Sequence, residues 1–257
     1  MSKNLSLALR AGEIMLKNGS ETYRAQNIIN LILKDKDIID KNITIIGTAI
    51  IITVQYADQP PITMTKSIAR RTNNLHKLSF VSKLALEYNQ GKSDLLKLEK
   101  ALEAIDISIT YPVLIKVIAT SLATALFTLG YGGTLAGALA IFFITILPAY
   151  LIQYFMRQNM PFFLSNILAG AVISFLSLIT FQFYPEMQYD KMISSVIIIL
   201  TPGVMAVTAI RDLVNGDFIT GASRGIDAII LAAGLSIGVG AVLSLYLFIS
   251  GGVIWKL

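Results

Sequence analysis

Apolar side chains recur at helical spacing near the start of the chain, at Leu5, Leu9, Ile14 and Leu16 and again at Ile28, Ile29 and Ile32. Gly19 separates the two runs. Ser20 reads as the N-cap of the second helix, with Glu21 in its first turn. The pattern then changes character. "NITIIGTAIIITVQ" is rich in Ile, Thr and Val and predicts one buried strand, with "PPITMTKSI" as its partner across a "YADQPP" turn. "NNLHKLSFVSKLALEYNQG" returns to helical spacing and is ended by Gly91. Ser93 is placed to cap a further helix over "DLLKLEKALEAIDI". These elements predict a small α+β domain over residues 1–108.

From residue 109 the apolar runs lengthen and polar positions thin out. Five candidate spans fall at 112–129, 133–152, 162–183, 189–210 and 226–249. Each is about 18–24 residues, enough for a hydrocarbon core of about 30 Å at 1.5 Å per residue. The expected fold class is therefore membrane α-helical, with a small α+β N-terminal domain followed by a five-helix transmembrane domain over 109–257.

Composition sharpens this division. The chain is 54% hydrophobic and 14% charged, with a mean hydropathy of +0.68, outside the range of ordinary soluble domains. Residues 1–117 hold 16 Lys+Arg and 11 Asp+Glu, and residues 118–257 hold 5 of each, so the whole net charge of +5 belongs to the first part. The positive-inside rule then sets the N-terminus in the cytoplasm and, with five spans, the C-terminus outside, where Trp255 suits an interfacial anchor. The opening "MSKNLSLALRAGEIMLK" carries charges through its apolar stretch and does not read as an export signal. Positive residues are interleaved with acids and no groove-reading motif is present, which argues against nucleic acid as a partner.

Residues able to do covalent chemistry are scarce. There is no cysteine, and His76 is the single histidine, beside Lys77 in a polar helix. Thiolate metal sites, histidine-based triads and the Walker A, GxSxG and HExxH patterns are all absent, so no cofactor and no metal are expected. Glycines at Gly133, Gly137, Gly170, Gly234, Gly238 and Gly240 suit close helix packing in a bilayer. One stretch asks for more than packing, "LTPGVMAVTAIRDLVNGDFITGASR". Pro202-Gly203 interrupts an apolar helix, and a broken helix at membrane depth frees backbone groups that protein, water or substrate must satisfy. Arg211, Asp212, Asp217 and Arg224 follow that break. Arginine grips carboxylates in bidentate fashion, and charges near a bilayer pair or line a pathway.

Two motifs together, "AGEIMLKNGSETYRAQNII" and "LTPGVMAVTAIRDLVNGDFITGASRG", resemble the threonine/serine exporter (ThrE-like) family, and within it the YjjP-like long subunit of its split form. The resemblance covers nearly the whole chain. It implies export of small amino acids such as threonine and serine, or of a dicarboxylate such as succinate, driven by the proton-motive force. It also implies a short YjjB-like membrane partner, a homo-oligomer being the alternative. Matched residue by residue, the pattern falls on Gly19, Glu21 and Arg24 near the start. In the membrane part it falls on Pro202, Gly203, Arg211, Asp212, Gly216, Asp217, Gly221 and Arg224. Two other readings stay open from the residues. One is a regulatory or scaffold membrane subunit. The other is a membrane-anchored enzyme using Glu13, Glu21 and Arg24 as an acid/base cluster.

Overall fold

The computed structural model describes residues 2–34, 37–57, 59–68, 72–107, 111–158, 160–184, 186 and 188–250; Trp255 lies outside them. Contacts divide the chain into two compact units. One is Met1–Thr110 with Gly203–Asp227, and the other is Tyr111–Pro202 with Ala228–Leu257. The stretch after the Pro202 break thus groups with the N-terminal elements.

In the first unit, helices α1 (Ser2–Lys17) and α2 (Thr22–Ile32) precede strands β1 (Ile38–Ile46), β2 (Ala49–Tyr56) and β3 (Ile62–Ser67). Helices α3 (Leu75–Asn89) and α4 (Leu95–Ile107) follow, and α9 (Gly203–Val214) and the start of α10 (Phe218–Ile249) complete the unit. The sheet is antiparallel in the order β1-β2-β3. The strand expected as one run is two, because Gly47 takes φ +54 and turns the chain back on itself. Central β2 alternates cleanly. Ile50, Ile52, Val54 and Tyr56 point inward and are buried against the apolar faces of α1 and α2. Fully burying one such side chain is worth about 1.5–3 kcal/mol, so the period-2 and period-3.6 patterns that meet in this core fix the unit together.

The helix ends show how local chemistry sets the chain path. Ser20 N donates to Met15 O (3.1 Å) and Gly19 N to Leu16 O (3.3 Å), with Gly19 at φ +91. That is a Schellman close of α1. The cap positions predicted at Ser20 and Ser93 move by one residue. Glu21 occupies the N-cap of α2 and makes no side-chain cap bond. Asp94, whose carboxylate accepts from Lys97 N at 2.8 Å, caps α4. A carboxylate at a helix N-terminus also meets the positive end of the macrodipole, which a serine hydroxyl does not exploit.

The second unit contains α5 (Val113–Gly130), α6 (Leu135–Arg157), α7 (Phe162–Phe183), α8 (Tyr189–Leu200) and the remainder of α10. Its packing is inverted relative to a soluble domain. Hydroxyls lie inside: Thr124 Oγ1 reaches Thr145 Oγ1 at 3.2 Å, and Thr128 Oγ1 and Ser195 Oγ are 2.6 Å apart. Large apolar side chains such as Leu114, Phe143, Phe175 and Phe248 face outward. This suits lipid as the solvent, with small and hydroxyl-bearing residues where helices touch. A Cβ on Gly170 would lie 2.7 Å from Leu235 O, one on Gly234 2.9 Å from Phe163 O, and one on Gly238 against Ile167 O. Gly240 differs from the expectation, since a Cβ there meets nothing within 4 Å.

Among the described residues four helices are long and apolar enough to cross a membrane, Val113–Gly130, Leu135–Arg157, Phe162–Phe183 and Phe218–Ile249. A fifth span results if α8 and α9 are one broken helix. The break falls where Pro202 predicts it, with α8 ending at Leu200 and α9 beginning at Gly203. The last span begins earlier than its apolar pattern indicates. Gly221 N donates to Asp217 O at 2.8 Å, so Asp217 holds the N-cap position of α10. The expected loop through residue 225 is helical from Phe218 onward.

Candidate functional site

The turn from α9 to α10 repeats the chemistry of the turn from α1 to α2. Asp217 N donates to Asp212 O (2.9 Å) and Gly216 N to Leu213 O (3.1 Å), with Gly216 at φ +88. This is a second Schellman close. Gly221 lets the first turn of α10 come close to α9, where a Cβ would lie 2.9 Å from Ala209 O. The two glycine turns present their charged residues to each other.

Glu21 is at the centre. Arg211 Nη1 donates to its Oε1 at 2.7 Å and Arg24 Nη1 to its Oε2 at 3.3 Å. The Glu21 side chain is 4% exposed, while that of Arg211 is 59% exposed. One residue further on, Thr22 N donates to Asp212 Oδ1 at 2.9 Å. The first free N–H of α2 is therefore satisfied by a carboxylate 190 positions away, which also sits at the positive end of the helix dipole. Arg224 Nη2 donates to Ser20 O at 2.8 Å, and its Nη1 lies 2.8 Å from Asp212 Oδ2. Both side chains of that pair are buried, at 3% and 0% exposure. Their close contact is off the alignment of a hydrogen bond. Among the described residues Arg224 Nε and Nη1 and Asp212 Oδ2 have no hydrogen-bond partner. Gly47 N, in the β1–β2 turn, donates to Thr220 Oγ1 at 3.1 Å, tying the sheet to α10.

The structure thus joins Gly19, Glu21 and Arg24 with Arg211, Asp212, Gly216, Asp217, Gly221 and Arg224 in one place. Three arginines meet three acids. Pro202 and Gly203 stand apart, since Gly203 is eight residues before Arg211, about 12 Å along an α-helix. Glu13, considered with Glu21 for acid/base work, is taken by Lys17 (2.6 Å) and Lys66 (3.3 Å). His76 is exposed. Among the described residues no group of three or more His, Asp or Glu is placed to hold a metal ion. Residues that pattern reading missed are Ser20 as an acceptor through its carbonyl, Thr22, Gly47 and Thr220. Three of these four act through backbone atoms, which carry no sequence signal.

Two carboxyls outside the helical spans are perturbed in opposite directions. Burial acts to raise the pKa of Glu21. Its backbone hydrogen bond, the hydrogen bond from Arg211 and the charges of Arg24 and Arg211 outweigh burial and hold it below its ordinary value. Burial raises the pKa of Asp217, and the charge of Asp212 adds to this against the opposing charge of Arg224. The signs for stability follow. A depressed folded pKa means that Glu21 contributes stability present above its unfolded value near 4.5 and lost as pH falls through the folded value. A raised folded pKa means that ionised Asp217 opposes folding at neutral pH, and that the cost is relieved as pH falls toward 3.8. Asp217→Asn, which keeps a good N-cap, should therefore raise the melting temperature of the detergent-solubilised chain at pH 7. Glu21→Gln should lower it. Both differences should shrink on acidification, and differences constant from pH 7 to pH 4 would contradict both assignments.

The family described as "Putative threonine/serine exporter" matches residues 6–246. The chain belongs to the threonine/serine exporter family. The match includes both glycine turns and all six charged residues of the cluster. A curated member of the family, the "Probable threonine/serine exporter" of Mycobacterium tuberculosis (strain ATCC 25618 / H37Rv), is 25% identical over 250 residues. The alignment covers 92% of this chain and 45% of that relative, so the chain spans about half the length of the curated relative it matches. No solved structure matches the chain. Family membership and the apolar helices together make this a multi-pass membrane protein.

Proposed function

We propose that this chain is one half of a secondary transporter, not an enzyme, and that it exports threonine, serine or a related small carboxylate such as succinate under the proton-motive force. The observation that carries the reading is the family match over nearly the whole chain. The half-length alignment to the relative supports a second half supplied by a short YjjB-like subunit or by another copy. Residues 1–108 would form a cytoplasmic domain, and 109–257 the membrane domain of a bacterial plasma membrane, with the C-terminus outside. The Pro202-Gly203 break would open the helix beside the pathway. Exposed Arg211 would meet the substrate carboxylate from the cytoplasm, and Asp212 or Asp217 would carry a coupling proton.

The test is efflux from cells preloaded with labelled threonine, serine or succinate. Three strains are compared, expressing this chain alone, the chain with the neighbouring short membrane protein, and neither. Efflux that needs both proteins is expected. Efflux from this chain alone would select the homo-oligomer, and no efflux of any solute with both proteins in the membrane would refute the proposal. Arg211→Ala should reduce efflux to background while the protein stays in the membrane. Wild-type efflux by that variant would remove Arg211 from the pathway.

A further inference from the structure

Helices α7 and α10 are pinched together over part of their length only. Gly234 faces Phe163, Gly238 faces Ile167, and Gly170 faces Leu235 and Val239, with no room for a Cβ at any of the three. Residue numbers on the two helices rise together along this contact, so the helices run parallel and end at the same face of the membrane. Beyond Gly238 the facing positions change character. They carry Phe175, Ile179 and Gln182 on α7 and Val242, Leu245 and Tyr246 on α10. Axes that meet through such side chains stand farther apart than axes that meet through glycine. The helices therefore part, and a groove of about 220 Å³ opens between them. Among the described residues that line it only Gln182 and Tyr246 are polar, and both lie in the last turn of their helices.

Size, length and depth identify the occupant. A helix about 10 Å across and as long as the groove needs several times the space available. An apolar cavity of about 150 Å³ holds benzene, so by proportion a groove of this volume holds a chain of about nine carbons. From Phe175 to Phe183 the wall of α7 is about 12 Å long, and one leaflet of the hydrocarbon core is about 15 Å deep. Tyr184 follows the end of α7, and the ring of Tyr189 lies 4.8 Å from that of Phe181. Tyrosines gather at headgroup level, which sets Gln182 and Tyr246 where the polar part of a lipid begins. Leu178 on the groove wall is buried, while Phe175 and Leu245 stand exposed as its rims. A chain seated there is packed by protein on several sides, unlike one lying against a smooth helix face. We propose that the groove between α7 and α10 binds one acyl chain of a membrane phospholipid, with the Gln182 amide and the Tyr246 hydroxyl donating to its ester or phosphate oxygens. The site follows from membrane packing and is independent of the exported solute.

Native mass spectrometry of the purified full chain in mild detergent provides the test. The protein is delipidated, titrated with palmitoyl-oleoyl-phosphatidylglycerol or palmitoyl-oleoyl-phosphatidylethanolamine, and activated until loosely held lipid is stripped. One phospholipid per chain should survive. Val242→Trp, which puts an indole into the groove, should abolish its retention. Phe143→Trp, on an exposed position of α6 outside the groove, should retain it as the wild type does. Gln182→Leu keeps the apolar walls and removes one donor, so it should weaken retention by roughly 2- to 10-fold, the range for one hydrogen bond. Wild-type retention by Gln182→Leu would decide against the site even if Val242→Trp failed to fold. No surviving phospholipid in the wild type, or equal retention by Val242→Trp and Phe143→Trp, would overturn it. A wild-type dimer that Val242→Trp dissociates would also overturn it and assign the groove to a second copy of the chain.

Discussion

Asp212→Ala is expected to destabilise the protein more than any other change to a single side chain of the cluster, by about 3–5 kcal/mol. The reason is what it leaves behind. Asp212 is fully buried and supplies both the acceptor for Thr22 N and the counter-charge for Arg224. Truncation strands a buried guanidinium whose other recorded bond is to Ser20 O, and it uncaps α2. Lys83 and Glu87 provide a contrast. Their ion pair is 3.9 Å long and solvent-exposed, and such pairs are worth about 0–1 kcal/mol. Thermal or denaturant unfolding of the purified full chain in detergent should separate Asp212→Ala clearly from Lys83→Ala. Equal stability of the two variants would mean that the cluster does not hold these helices together.

The second large effect is expected at Gly238. A Cβ there would press on Ile167 O and lie 3.0 Å from Ala171 N, both backbone atoms that have no rotamer with which to yield. Gly170 and Gly234 make similarly close approaches across the same α7–α10 contact. Gly238→Val must therefore separate the helices, at a cost of about 1–3 kcal/mol or more. In lipid there is little hydrophobic force to compensate, because association depends on close packing. Gly240→Ala, two residues along the same helix, meets nothing within 4 Å. It should be neutral or stabilising by up to about 1 kcal/mol, since glycine carries an entropic penalty in a helix. The melting temperatures of the two variants in the same detergent test this directly. Matching values would show that α7 and α10 are not in close contact.

Much of the chain was legible because the signals are local or periodic. Leu5, Leu9 and Ile14 mark the inner face of α1 through their spacing. Pro202 ends α8 because its ring and missing N–H act within one turn. Gly19 and Gly91 end helices because only glycine takes a positive φ at no steric cost. Gly47 was legible in principle, as a glycine inside a run of β-branched residues, yet the strong Ile-Thr pattern on both sides reads as one strand until the turn is seen. The start of α10 was hidden for the opposite reason. Between Phe218 and Asp227 the residues are too polar for a span and show no apolar stripe, so hydropathy places the boundary later than the backbone does.

The sequence by itself determined the class of the protein, most of its helices, the break at Pro202 and the residues of both charged motifs. Each of these rests on side-chain identity within a turn or two of the chain. Only the tertiary structure decided that Glu21 faces Arg211, that Asp212 caps α2, and that Arg224 and Asp212 meet with their hydrogen bonding incomplete. Those contacts join residues about 190 to 204 positions apart. Several of them end on backbone N–H and C=O groups, which are chemically the same at every position. What distinguishes Ser20 O or Thr22 N is where the fold has put it, and that information exists only once the two glycine turns have been brought together.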